Sequence, residues 1–188
     1  TYNFHNVCVA PTHLKILQDY LDIAGDREQR NFVTVFNYPM GTDSIYSVYQ
    51  EMLHHVNHYN EADIVWPAID TEYWTRAAPL KLLERTFSDK VLKVIVENRV
   101  EDNDRLEKLC AKTEELGFKF FKTSTGYGPH NATPELVAKL KSFSKKAHVK
   151  ASGGIRTLAD AQAMVDAGAS RLGIGIDAAI SIMHELGE

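Results

Sequence analysis

Apolar residues along the chain fall into short runs, and each run is followed by a stretch with helical spacing. The runs predict strands at Phe4–Ala10, Phe32–Tyr38, Ala62–Ala68, Val91–Asn98, Phe118–Ser124, His148–Ser152 and Arg171–Ile176. Their starts lie about 22 to 30 residues apart, the length of one βα unit. The intervening stretches read as helices, and their ends are marked. Leu14–Ala24 closes at Gly25, Leu106–Leu116 at Gly117 and Ala159–Ala167 at Gly168, each a glycine just past the last turn. Thr133-Pro134-Glu135 places a capping hydroxyl before a proline at the first helical position. Thr157-Leu158-Ala159-Asp160 has capping-box spacing, with Asp in place of the usual Glu.

Strands alternating with helices imply a parallel sheet covered on both faces. Periodicity leaves two architectures open, a doubly wound sheet and a closed (β/α)8 barrel, and seven strands are visible where a barrel needs eight. No linker or charge block divides the chain, so a single domain over 1–188 is expected.

Composition narrows the function classes. Of 188 residues, 44% are hydrophobic, enough for a sizeable core, and 24% are charged. A net charge of −4 argues against nucleic acid as a partner, because phosphate backbones recruit basic faces. No apolar run approaches the roughly 18 residues of a membrane span, and residues 1–30 carry charges throughout, unlike a signal peptide. A cytoplasmic protein is expected. Cys8 and Cys110 have no metal-ligand spacing and read as free thiols. Cys8 lies near a strand end and could face a pocket, against the commoner reading of a small buried hydrophobe. His54 and His58, one helical turn apart, read as a solvated helix face in the company of His55 and Asn57, and no metal is expected. Asn131-Ala132-Thr133 fits a glycosylation acceptor but is better explained as a helix cap.

The chemistry-bearing signal is lysine in strands, where it is a poor residue and costly to turn inward. Lys93, Lys122 and Lys150 each sit in an apolar run. A single such lysine is most simply a snorkelling edge residue. Lys119 and Lys122 are three positions apart, so one faces in and the other out. Lys122 lies at the C-terminal end of its strand, where parallel barrels keep their chemistry. Two ammonium groups facing one pocket repel, and each lowers the pKa of the other. A neutral lysine attacks a carbonyl to form a Schiff base, which makes Lys122 the nucleophile and Lys150 its tuning neighbour. Asp63, a charge in the run Ala62-Asp63-Ile64-Val65-Trp66, is either a strand-start or loop residue or a proton carrier.

Several segments resemble the deoxyribose-phosphate aldolase family. Phe121-Lys122-Thr123-Ser124-Thr125-Gly126, with Asn131-Ala132-Thr133-Pro134-Glu135, is similar to its Schiff-base segment. Val149-Lys150-Ala151-Ser152-Gly153-Gly154-Ile155-Arg156-Thr157 is similar to the segment carrying its second lysine. Glu61-Ala62-Asp63-Ile64-Val65 resembles the segment with its proton-relay aspartate, and Leu92-Lys93-Val94-Ile95-Val96-Glu97 its fifth strand, whose lysine joins the active-site charges. Val7-Cys8-Val9-Ala10-Pro11 and Val33-Thr34-Val35-Phe36-Asn37-Tyr38-Pro39-Met40-Gly41 resemble its second and third strands. The resemblance covers essentially the whole chain in order.

It implies a TIM (β/α)8 barrel without metal or cofactor. The visible strands match the family's second to eighth, so an N-terminally truncated barrel is expected. It further implies reversible cleavage of 2-deoxyribose 5-phosphate to glyceraldehyde 3-phosphate and acetaldehyde, through Lys122, Lys150, Asp63 and Lys93. The partners are then small aldehydes and sugar phosphates, and a homodimer is among the expected assemblies. Gly126, Gly153, Gly154, Gly173 and Gly175 would cradle an anion through their amides, with Cys8 nearby. Two side chains depart from the family. Tyr127 replaces the Lys that follows Thr-Ser-Thr-Gly, and Gly173 is followed by Ile174-Gly175-Ile176 instead of hydroxyl residues. These substitutions motivate two alternatives: an aldolase with a non-phosphorylated acceptor, and a non-catalytic sugar-phosphate-binding barrel.

Overall fold

The computed structural model describes residues 4–67 and 77–187. Chain contacts divide it into two compact units, Asn3–Lys93 and Val94–Glu188. Each is described in its own terms.

In the first unit, β1 (Asn6–Val9), β2 (Asn31–Phe36), β3 (Glu61–Val65) and β4 (Val91–Ile95, whose last residues pass into the second unit) are separated by helices α1 (Leu14–Ala24), α2 (Ile45–His54) and α3 (Ala77–Thr86). β1, β2 and β3 pair in parallel, with Val9 opposite Thr34 and Val35 opposite Asp63. The N–H of Val91 donates to the carbonyl of Asn60 at 3.1 Å and so starts β4 beside the entrance to β3. α1 runs between the residues the spacing predicts and stops at Gly25, whose φ of 69° lets its N–H return to the last carbonyls. Leu14, Leu21, Phe36, Val48, Met52, Ile64, Leu80, Leu83 and Phe87 are buried, and Phe36 meets Tyr59 edge to face at 5.4 Å.

In the second unit, β5 (Phe120–Lys122), β6 (His148–Ser152) and β7 (Arg171–Gly173) are parallel neighbours in chain order. Helices α4 (Asn103–Glu115), α5 (Pro134–Phe143), α6 (Leu158–Asp166) and α7 (Ile176–Leu186) alternate with them. The caps read from the sequence are in place. The Thr133 hydroxyl accepts from Leu136 N–H at 3.1 Å, and Thr157 and Asp160 form a reciprocal capping box.

The strands are shorter than the apolar runs, for identifiable reasons. β4 stops at Ile95 because Glu97–Arg99 turns as a 3-10 helix. β5 stops at Lys122 because Thr123 and Ser152 exchange side-chain bonds in place of the ladder. Ile174–Ile176, expected within the last strand, is instead the turn into α7, with Gly175 as its N-cap. Ala68, expected at the end of the third strand, lies outside the described residues. His54 and His58 do not share a helix: α2 ends at His54, and His58 lies on a following 3-10 turn. There His58 Nδ1 is 2.8 Å from Gln18 Oε1, and Gln18 Nε2 donates to the His58 carbonyl at 3.1 Å. Partial burial, and then the neighbouring His54 and His58, depress the pKa of His55.

Candidate active site

Asp63 and Lys93 come together in the first unit. Asp63 is the third residue of β3 and wholly buried, which excludes the strand-start and loop readings, and Lys93, the third residue of β4, is buried with it. Lys93 Nζ donates to Asp63 Oδ1 at 2.8 Å and lies 2.6 Å from Glu61 Oε2. Glu61 escaped the sequence reading. It lies two residues before Asp63, so strand alternation turns both carboxylates to one face, and that spacing was the available signal. The other Glu61 oxygen, Oε1, accepts from Asn31 Nδ2 at 2.6 Å, and Asn31 Nδ2 also lies 2.6 Å from Asn6 Oδ1. Cys8 is not the small buried hydrophobe that free cysteine usually is. It is exposed, because the residues of β1 alternate between exposed and half-buried beside β2.

Lys122 and Lys150 come together in the second unit. They are register partners on β5 and β6, so their side chains leave the sheet on the same face, and both are at least 94% buried. Lys119 is exposed, as the parity argument requires. Past Lys122 the backbone is fixed by polar side chains. Thr123 Oγ1 donates to the Ser152 carbonyl at 2.8 Å and accepts from Ser152 N–H at 2.9 Å, while Ser152 Oγ donates to the Ser124 carbonyl at 2.7 Å.

Glu97 is the second residue the sequence reading missed. Buried just after β4, its Oε2 accepts from both Thr125 N–H, at 2.9 Å, and Thr125 Oγ1, at 2.5 Å. Thr125 Oγ1 in turn accepts from the N–H groups of Tyr127 and Gly128, at 3.1 and 3.3 Å. A buried carboxylate therefore pins the turn that carries Tyr127, whose own side chain is 78% exposed. The sequence signal for it was a carboxylate within the predicted apolar strand Val91–Asn98.

The glycines do distinct work. A Cβ on Gly153 would come within 3.5 Å of the Gly126 Cα, so the loops after β5 and β6 pack backbone to backbone. A Cβ on Gly154 would meet Asn131 at 2.9 Å, and one on Gly173 would meet Ser152 Cβ at 2.8 Å and Lys150 Cε at 3.2 Å. Gly175 has no such neighbour within 4 Å and begins α7, where backbone N–H groups point outward. Among the described residues no group of three or more His, Cys, Asp and Glu is arranged to hold a metal.

Parallel strands alternating with helices, with lysines and carboxylates buried on the strands, define an α/β protein whose strands carry ionisable groups suited to chemistry. No family model matches the chain. It is 32% identical over 173 residues to deoxyribose-phosphate aldolase of Clostridioides difficile strain 630, covering 89% of this chain and 77% of that one. Among solved structures, the aldolase QR15 is 33% identical with a TM-score of 0.84, over 97% of this chain and 81% of that one. A deoxyribose phosphate aldolase from Aeropyrum pernix, described as tetrameric, is 25% identical with a TM-score of 0.85, over 98% of this chain and 78% of that one. The chain belongs to the deoxyribose-phosphate aldolase family. It is accordingly a lyase with the TIM-barrel fold of that family, and seven of its strands lie in the described residues.

Proposed function

We propose that this enzyme is a class I aldolase that cleaves 2-deoxy-D-ribose 5-phosphate reversibly to glyceraldehyde 3-phosphate and acetaldehyde. The observation that carries the reading is the register pairing of two buried lysines, Lys122 and Lys150. Both side chains leave the same face of the sheet from paired positions, which sets two amines at neighbouring strand ends. The Lys122 Nζ lone pair adds to the aldehyde carbon of the open-chain sugar, water leaves, and a protonated imine remains. Removal of the C3 hydroxyl proton breaks the C2–C3 bond. The bond's electron pair moves into the imine to give an enamine, and glyceraldehyde 3-phosphate departs. Protonation of the enamine carbon and hydrolysis release acetaldehyde and restore Lys122. Asp63 carries the protons, Lys93 holds the carboxylate side of the charge arrangement, and Lys150 is the second lysine beside Lys122. The amides around Gly126, Gly153, Gly154, Gly173 and Gly175 take the phosphate. A homodimer is the proposed assembly and the cytoplasm the proposed compartment.

Borohydride reduction in the presence of acetaldehyde should leave a stable ethyl adduct on Lys122, located by peptide mass spectrometry. No adduct, or an adduct on Lys150, overturns the assignment.

A second reading rests on Tyr127 and Ile174. The turn held by Glu97 and Thr125 presents an exposed aromatic ring, and the approach to α7 offers no side-chain hydroxyl between Gly173 and Ile176. This arrangement favours an acceptor aldehyde without phosphate. Turnover of deoxyribose measured beside its 5-phosphate decides between the two, since a strong preference for the phosphate rules the second out.

A further inference from the structure

We infer that Glu61 is a positioning residue, which shares the Lys93 ammonium with Asp63 and so keeps Asp63 from being that ammonium's sole counter-ion. The inference rests on the aldolase reading above, in which Asp63 moves protons. Lys93 Nζ lies 2.6 Å from Glu61 Oε2 and 2.8 Å from Asp63 Oδ1, and all three side chains are buried. An ammonium has three donors and can serve both carboxylates at once. A purely structural pair needs one carboxylate, and burying a second adds a desolvation cost that stability alone does not reward. Glu61 is also aimed. Its Oε1 accepts from Asn31 Nδ2, which is tied in turn to Asn6 on the neighbouring strand, so the carboxylate is held at both oxygens. A carboxylate fixed in this way draws the ammonium toward itself by a constant amount. Asp63 then keeps a bond to Lys93 weak enough to be exchanged for a proton during turnover.

The test uses the full chain and three variants: Glu61→Gln, Lys93→Met and the two combined. Glu61→Gln keeps the shape and an acceptor for Asn31 but removes the charge that competes for Lys93. Its kcat for cleavage of 2-deoxyribose 5-phosphate should fall about tenfold, part of the range that general acid–base groups supply. KM should stay within about twofold, because binding precedes the proton steps, and the borohydride adduct on Lys122 should still form. In the Lys93→Met background the same change should cost nothing further, since the pathway through Lys93 is already cut. A merely structural role would give equal losses in both backgrounds, and that result overturns the inference, as does an unchanged kcat in Glu61→Gln. If Glu61→Gln does not fold, Asn31→Ala loosens Glu61 from its other end. It should lower kcat in the same direction with Lys93 present and not without it, and equal effects in both backgrounds again overturn the inference. A parent enzyme with neither turnover nor adduct defeats the aldolase reading itself. A parent with both, beside an unaffected Glu61→Gln, defeats this inference alone.

Discussion

Single residues set the geometry around Lys150. Gly173 has no need of unusual backbone angles, yet a methyl group there would sit 2.8 Å from Ser152 Cβ and 3.2 Å from Lys150 Cε. Gly173→Ala must therefore move the lysine or the strand. We expect a loss of about 1–3 kcal/mol in stability, the usual cost of overpacking, and a turnover that falls further than melting alone explains. Gly175→Ala is the control. Nothing lies within 4 Å of its Cβ position, so its melting temperature should match the parent and its stability stay within about 0.5 kcal/mol. Equal behaviour of the two variants in thermal melts would show that Gly173 is not a steric gate for Lys150. Parity arguments worked at this scale: Lys119 faces out and Lys122 in. They worked because a covered sheet leaves a lysine no intermediate orientation. For Cys8, exposure removes the reading as a small buried hydrophobe, because burial belongs to what surrounds a strand, which β1 does not encode in its own residues.

At the scale of elements, the entrance to β6 is held by a neighbouring helix. Glu114 on α4 accepts from the backbone N–H groups of Lys145, Lys146 and Ala147 at 2.6 to 3.2 Å, and from the Ser144 hydroxyl at 3.2 Å. Burial alone would raise its pKa, but the N–H groups of Ala147, Lys146 and Lys145 together outweigh that and hold it below the ordinary 4.5. A carboxyl with a depressed folded-state pKa adds stability above its unfolded value, and that stability is lost as pH falls through the folded one. Glu114→Gln should lower the melting temperature at pH 7, where such bonds are worth about 1 kcal/mol on a half-exposed group. The gap between variant and parent should close as pH drops below 4.5. A gap independent of pH would mean that the charge of Glu114 is not what organises residues 144–147. The sequence marks Glu114 only as one more acid on a polar helix face, since its partners lie some thirty residues away. The caps at Thr133 and Thr157 were legible because both partners lie within one helical turn.

At the scale of the molecule, the two cysteines report on integrity. Cys8 is exposed, whereas Cys110 is buried in α4 and its thiol is pushed up to about 12 by burial, with Glu114 and Glu107 adding to the effect. Iodoacetamide at pH 8 should modify Cys8 in the folded protein and reach Cys110 only on unfolding, so Cys110 labelling traces global opening. Rapid native labelling of Cys110, followed by mass spectrometry, would show that α4 opens locally.

The alternation of strand and helix, the helix ends at Gly25 and Gly117, the caps and the strand lysines were all determined by the sequence itself, because each depends on residues within a few positions of one another. The family was legible for the same reason, since its two lysine segments are continuous in the chain. Only the tertiary structure decided where the strands end, that Ile174–Ile176 is a helix entrance, and that Glu61, Lys93 and Asp63 form one buried ionic cluster. It alone also decided that Glu97 clamps Thr125, twenty-eight residues on. These contacts join strands distant in sequence, and the free energy that selects them, burial of charge against a matched partner, exists only once the strands are side by side.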